Sequence, residues 1–245
     1  MYKDFILKKV LPYKNLGHKI LSDGTELFGN DKQIAPQAWL HQIYPPLADV
    51  DIEDIEKMIG NKLPNSIKNF YKEMNGFSVF IGKLTVDGLR KNFSRNIEAS
   101  WQPFSIETIN KKERPKNAKD EFIFIGSYSE TGNIIYIDTK NENISICKVN
   151  NANPIITYEN LFNFLLEEIS DIFTKNNLKY TIIESGPEIE LKLKRLKEIK
   201  IDATNWVCYY IDELNGEKWI KEYPNSDYHG GGAPILTKIE KFPWE

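Results

Sequence analysis

The chain has 245 residues, 41% of them apolar and 12% aromatic, which suffices for a packed core and excludes wholesale disorder. Lys and Arg total 32 against 35 Asp and Glu, a formal net charge of -3, so a broad basic surface for nucleic acid is disfavoured. The balance is uneven: residues 1–180 carry 23 cations and 23 anions, whereas residues 181–245 carry 9 and 12.

The N-terminus, Met1-Tyr-Lys-Asp-Phe-Ile-Leu-Lys-Lys9, has an apolar run of only three residues, too short for a secretion signal. No stretch reaches the roughly 18 apolar residues of a membrane helix, so the chain reads as soluble and cytoplasmic. Its first 45 residues alternate short apolar clusters with turn residues and read as a β-rich or irregular lead-in. Tyr44-Pro45-Pro46 cannot be helical at the residues preceding each proline.

Asp49-Val-Asp51 supplies a helix start with an acidic first turn, Ile52, Ile55 and Ile59 share a face, and Gly60 is a stop. After Pro64, Ile67, Phe70, Tyr71 and Met74 form an i, i+3, i+4, i+7 stripe that ends at Asn75-Gly76. From Phe77 to Val149 the pattern is β: the runs Phe77–Ile81, Phe122–Ile125, Ile134–Ile137 and Ile144–Val149 are bounded by Gly126, Gly132-Asn133 and Asn141–Asn143. The short intervals predict antiparallel neighbours in a meander. Asn153-Pro154 then leads into a second helix with Tyr158, Leu161, Phe162, Leu165, Ile169 and Ile172 on one face and Asn176-Asn177 at its end.

Ser185-Gly186-Pro187 and the change in charge balance place a domain boundary near 178–187. Glu188–Lys200 reads as a helix with Ile189, Leu193, Leu196 and Lys200 on one face. Asn205–Asp212 and Glu217–Tyr223 flank Asn215-Gly216, which predicts a type I′ hairpin, and Ile235–Ile239 is a last strand. The expectation is a compact tail of one helix and about three strands, its small core built on Trp206 or Trp219.

Catalytic chemistry finds no constellation. His229-Gly230-Gly231-Gly232 is similar to an oxyanion-hole stretch of lipases, but no Gly-x-Ser-x-Gly turn accompanies it, and three glycines also suit a tight backbone crossing. No phosphate-loop signature occurs, and His18, His41 and His229 lack zinc-type spacing. Cys147 and Cys208 lie in β-like apolar runs and read as buried, reduced thiols. The acidic cluster Asp49, Asp51, Glu53, Asp54 and Glu56 is explained by helix-start electrostatics. No cofactor, metal or enzymatic activity is expected.

The acidic helix followed by Gly60-Asn-Lys-Leu63-Pro64, the helix bearing Phe70-Tyr71, and Asn75-Gly76 together resemble the SUKH superfamily (Smi/Knr-type). Gln102-Pro103-Phe104, Arg114–Ala118, Ile125-Gly126, Tyr136-Ile137-Asp138 and Tyr158–Leu165 extend the likeness over about residues 1–178. Asn205-Trp206, Asn215-Gly216-Glu-Lys-Trp219, and Tyr223-Pro224 followed by His229–Gly232 and Pro234 resemble the immunity protein 27 family over residues 179–245.

These resemblances imply an α+β domain over 1–178, a mostly antiparallel sheet with packed helices, and then a small α+β domain over 179–245. They imply an immunity protein of a bacterial polymorphic toxin system, which binds a cognate protein toxin, or two toxins, without nucleic acid or membrane. The alternative is a Smi/Knr-type regulatory module binding another cellular partner. If the toxin is a nuclease with a basic cleft, candidate binding residues are Asp212, Glu213, Glu217 and Glu222 on the acidic hairpin, with Glu130 and Asp138 near the sheet edge.

Overall fold

A computed structural model describes residues 1–31, 35, 38–94, 101–180, 182–183, 187–213, 216–223, 232–239 and 241–245. The chain divides into two compact units, Met1–Asp171 and Ile172–Glu245. Both are α+β, with antiparallel sheets.

The first unit opens with α1 (Tyr2–Val10), where a wholly β-rich or irregular lead-in was expected. Its buried residues Tyr2, Ile6 and Val10 recur every fourth position, a stripe one residue wide among Lys3, Lys8 and Lys9. A nine-stranded antiparallel sheet follows in strict chain order: β1 (His18–Ile20), β2 (Glu26–Asn30), β3 (Trp39–Ile43), β4 (Phe77–Val79), β5 (Leu84–Val86), β6 (Phe122–Ser127), β7 (Asn133–Asp138), β8 (Ile144–Lys148) and β9 (Asn151–Tyr158). The predicted meander is therefore present and longer than the four runs that suggested it.

The excursion between β3 and β4 holds α2 (Asp49–Ile59) and α3 (Asn65–Glu73). The cap of α2 is Ala48 rather than an aspartate, and the Asp51 carboxylate accepts the Ala48 N–H at 3.2 Å. Gly60 ends α2 in the left-handed conformation. As expected, Ile67, Phe70 and Tyr71 of α3 are buried, together with Leu161 and Leu165 of α5 (Leu161–Tyr180). A short helix, α4 (Ile106–Lys111), packs on β6 and α2.

Both faces of the central strands are covered, because consecutive residues Phe122–Ile125 are all buried. One face gathers Phe122, Phe124, Ile134, Tyr136, Cys147 and Ala152 around Ile109 of α4. Register places Ile123, Ile135, Ile137, Ile144 and Ile146, all buried, on the other. Three expectations fail around the junction of the two units. Tyr158 closes a strand rather than lying on a helix, and Pro154 sits within β9. β9 is the sheet's last strand, so the missing N–H of a proline is tolerated there. Asn176 does not stop α5; its side-chain amide donates to the Ile172 carbonyl at 2.7 Å and stays within the helix.

In the second unit, β10 (Ile182–Ile183), β11 (Lys197–Asp202), β12 (Val207–Ile211), β13 (Lys218–Glu222) and β14 (Ile235–Ile239) form a sheet of order β10-β14-β13-β12-β11. The helix expected to reach Lys200 stops early: α6 spans Pro187–Leu193, and Lys197–Asp202 is a strand. Ile199 and Ile201 are exposed, so no buried face makes this segment a strand; it is held by antiparallel pairing with β12, Lys197 opposite Ile211 and Asp202 opposite Val207. Ile189, Tyr210, Trp219 and Leu236 form the core, with Leu193, Leu196 and Cys208 against it. Trp206, by contrast, is exposed. Both cysteines are free; Cys147 is buried, and burial pushes its thiol up to about 11, whereas Cys208 is only half-buried.

Candidate functional site

The predicted hairpin exists, but its turn differs from the expected two-residue connection. Ile211 pairs with Lys218, and the Asp212 N–H donates to the Glu217 carbonyl at 2.8 Å. Gly216 donates to the Asp212 carbonyl at 2.7 Å from a left-handed φ of 74°. The connection is thus residues 213–216, with Leu214 and Asn215 outside the described residues.

This geometry separates the four hairpin carboxylates. Asp212 is 0% exposed, and Lys192 from α6 meets it at 3.1 Å. The same ammonium lies 3.5 Å from Glu217 and 4.6 Å from the centre of the Trp219 ring. Lys238 of β14 meets the other carboxylate oxygen of Glu217 at 2.5 Å. Two lysines therefore hold Asp212 and Glu217 inward, tying α6 and β14 to the hairpin base. Asp212, named among the candidate contact residues, is thus enclosed and already paired with Lys192. Glu213 is different: its side chain is 63% exposed and meets the equally exposed Lys197. Such a pair is weak and open to a competing cation. Glu222 ends β13 opposite Ile235 and is half-buried.

Glu130 and Asp138 do not lie at a sheet edge, because β7 sits between β6 and β8. Glu130 occupies the β6–β7 turn, 2.8 Å from Lys83. Asp138 ends β7 and accepts the Lys140 N–H at 2.9 Å. They stand at opposite ends of one strand, roughly 17 Å apart by strand rise, and form no joint site.

Besides Asp31, two carboxylates that sequence reading did not single out as functional are buried in the first unit. Glu56, grouped with the helix-start acids in sequence, accepts the Leu63 N–H at 2.9 Å and meets both Lys62 and Lys68 at 2.7 Å. Burial opposes its ionisation, but the two ammoniums and the N–H outweigh burial and hold it at about 2. Asp87 follows β5 and is placed by α3 and the Asn75-Gly76 turn. The Tyr71 hydroxyl donates to its carbonyl at 2.9 Å, and Asn75 both donates to the Leu89 carbonyl and accepts its N–H, at 2.8 and 2.7 Å. Gly76 has φ +87°, and a Cβ there would lie 2.2 Å from the Val86 carbonyl oxygen, so only glycine allows this approach. The motif residues Leu63, Tyr71, Asn75 and Gly76 thus frame the buried acids.

Among the described residues no group of three or more His, Cys, Asp or Glu could hold a metal, and no helix is long and apolar enough to cross a membrane. Burial lowers His41 to about 3, so it is a neutral core side chain, wedged edge-on against Tyr13 and Phe80. The glycine run after His229 lies outside the described residues except for Gly232.

Comparison with known families follows this division. Residues 46–167 match the SMI1/KNR4 family (SUKH-1), and residues 188–240 match immunity protein 27. No curated protein matches the chain significantly. Both families point to an immunity protein of a toxin system. One chain thus carries a SUKH-1 domain, with the Tyr71–Asn75–Gly76 frame inside it, followed by an immunity protein 27 domain.

Proposed function

We propose that this chain neutralises a cognate protein toxin by binding it in the cytoplasm of the producing cell, without catalysis. The observation that carries the reading is the presence, on one chain, of two domains from immunity-protein families. The toxin is a cationic enzyme, a nuclease, and with two domains the chain faces up to two such toxins. Capture by charge falls to Glu213 and Glu222 on the second domain, with Glu130 and Asp138 as weaker contributors on the first. Asp212 and Glu217 instead hold the hairpin in shape. We place the boundary between the two family domains at 178–187, beyond the Asp171/Ile172 division into compact units, and limited proteolysis should nick the native chain there.

The test is co-expression with the product of the gene immediately upstream. The chain should restore growth and co-elute with that product in a stoichiometric complex. Growth arrest despite soluble expression of both proteins, with no complex, would overturn the toxin reading in favour of a Smi/Knr-type regulatory module.

A further inference from the structure

A hollow of about 480 Å³ opens beside Asp87 in the SUKH-1 domain. Its wall includes Asp87, Glu113, Arg90 and Thr108, and its mouth carries Phe93 and Phe104, which are 65% and 63% exposed. Asp87 is 3% exposed, and among the described residues its Oδ1 has no hydrogen-bond partner. A buried carboxylate oxygen without a donor costs free energy, and selection removes such costs unless they serve something. The other acid on the wall, Glu113, is exposed and follows α4.

The charges there favour a cation from outside. Burial pushes the Asp87 carboxyl up to about 7, Glu113 adds to the rise by repulsion, and the Thr85 hydroxyl opposes it. Arg90 is already engaged: its Nε donates to the Asn92 carbonyl at 3.1 Å, an Nη1 donates to the Pro103 carbonyl at 3.2 Å, and the guanidinium lies 5.7 Å from the Phe93 ring centre. Tyr44 and Tyr71, the other titratable groups near Asp87, are held neutral by burial. Two acids do not make a metal cage, and two exposed aromatic rings at the entrance suit a flat organic cation.

We propose that this hollow is the recognition pocket for an arginine side chain presented by the toxin, with the guanidinium seated against Asp87 and Glu113 and its stem passing between Phe93 and Phe104. The assignment rests on the toxin-binding reading above and deepens it by naming the face of the SUKH-1 domain that engages. Arginine is preferred over lysine because a planar fork can serve two carboxylates at once and stack on a ring.

The experiment uses agmatine, which carries the guanidinium and stem of arginine, titrated into the full chain by calorimetry and amide NMR. Agmatine should bind one to one and shift resonances of residues around Asp87, while uncharged butylurea should not. Asp87→Asn should weaken binding about tenfold or more, and the surface changes Glu113→Gln and Phe104→Ala severalfold each. Because the cation displaces a proton from Asp87, affinity should rise with pH up to about 7 and then level off, with proton release seen as buffer-dependent heat. Failure of agmatine to bind, equal binding by butylurea, or unaltered binding in Asp87→Asn overturns the pocket assignment. No toxin enters this assay, so its failure leaves the co-expression test of the immunity reading untouched.

Discussion

Replacing Glu56 by Gln isolates the charge of the carboxylate that joins α2 to α3. The side chain is only 4% exposed, and three donors converge on it from Lys62, Lys68 and Leu63. A folded value near 2 against an ordinary 4.5 sets a ceiling of about 3 kcal/mol for the stability held by the ionised form. Lys62 is 85% exposed, so water screens its share and about 1.5 kcal/mol is the floor. Because the folded value is depressed, this stability is complete above pH 4.5 and is lost as pH falls toward 2. Urea unfolding of both proteins should show Glu56→Gln less stable by about 1.5–3 kcal/mol at pH 7, with the gap closing below pH 3. The amide oxygen can still accept the Leu63 N–H, so the loss reports charge rather than a broken hydrogen bond. A gap that stays constant from pH 7 to pH 3 would refute the assignment of stability to the ion pairs.

Phe70→Ala should cost about 3–5 kcal/mol, because Phe70 is fully buried among Tyr2, Tyr71 and Phe77; an unchanged melting temperature would contradict its burial. Gly76→Ala should destabilise by about 2 kcal/mol or more in the same assay, since a Cβ would strike the Val86 carbonyl and the φ is left-handed. Charge reversal at Glu213 and Glu222 should slow toxin association several-fold at low salt and little at high salt, measured by stopped-flow. An association rate unaltered at every ionic strength would remove the hairpin from the encounter.

Legibility followed the range of the interactions involved. The α3 stripe and the strands β6, β7 and β8 announce themselves because each buries several neighbours on a fixed period. α1 was missed because its buried face is one residue wide, and β9 because its proline reads as a break although an edge strand tolerates it. The hairpin was read as a free acidic surface because its partners are remote in sequence. Lys192 lies 20 residues from Asp212, and Lys238 lies 21 from Glu217, and no local pattern encodes either pair. Asp87 escaped notice for the same reason: its burial depends on Tyr71 and Asn75, and the acid that repels it sits on another element.

Glu56 and Asp87 show why burial alone does not decide what a carboxylate contributes. Both are almost wholly enclosed in the same unit, yet one is held at about 2 and the other pushed up to about 7. The difference is partners: two ammoniums and an N–H against an acid and a single hydroxyl. Glu56 therefore stabilises the fold, and Asp87 opposes it once ionised. Its folded value lies above the ordinary 3.8, so the native state binds the proton more tightly, and stability declines as pH rises from about 4 to 7. The ceiling on that loss is about 4 kcal/mol, reduced in practice by local relaxation to about half. Asp87→Asn keeps the shape and an acceptor for Thr85 while removing the charge. Unfolded in urea at pH 8, it should be more stable than the parent by about 1–2 kcal/mol, with the advantage vanishing near pH 4. A variant that is less stable at pH 8 would mean that the carboxylate is satisfied within the fold and is not held in reserve for a partner. A gain in stability matched by a loss of agmatine binding would identify Asp87 as a residue kept for recognition at the expense of the fold.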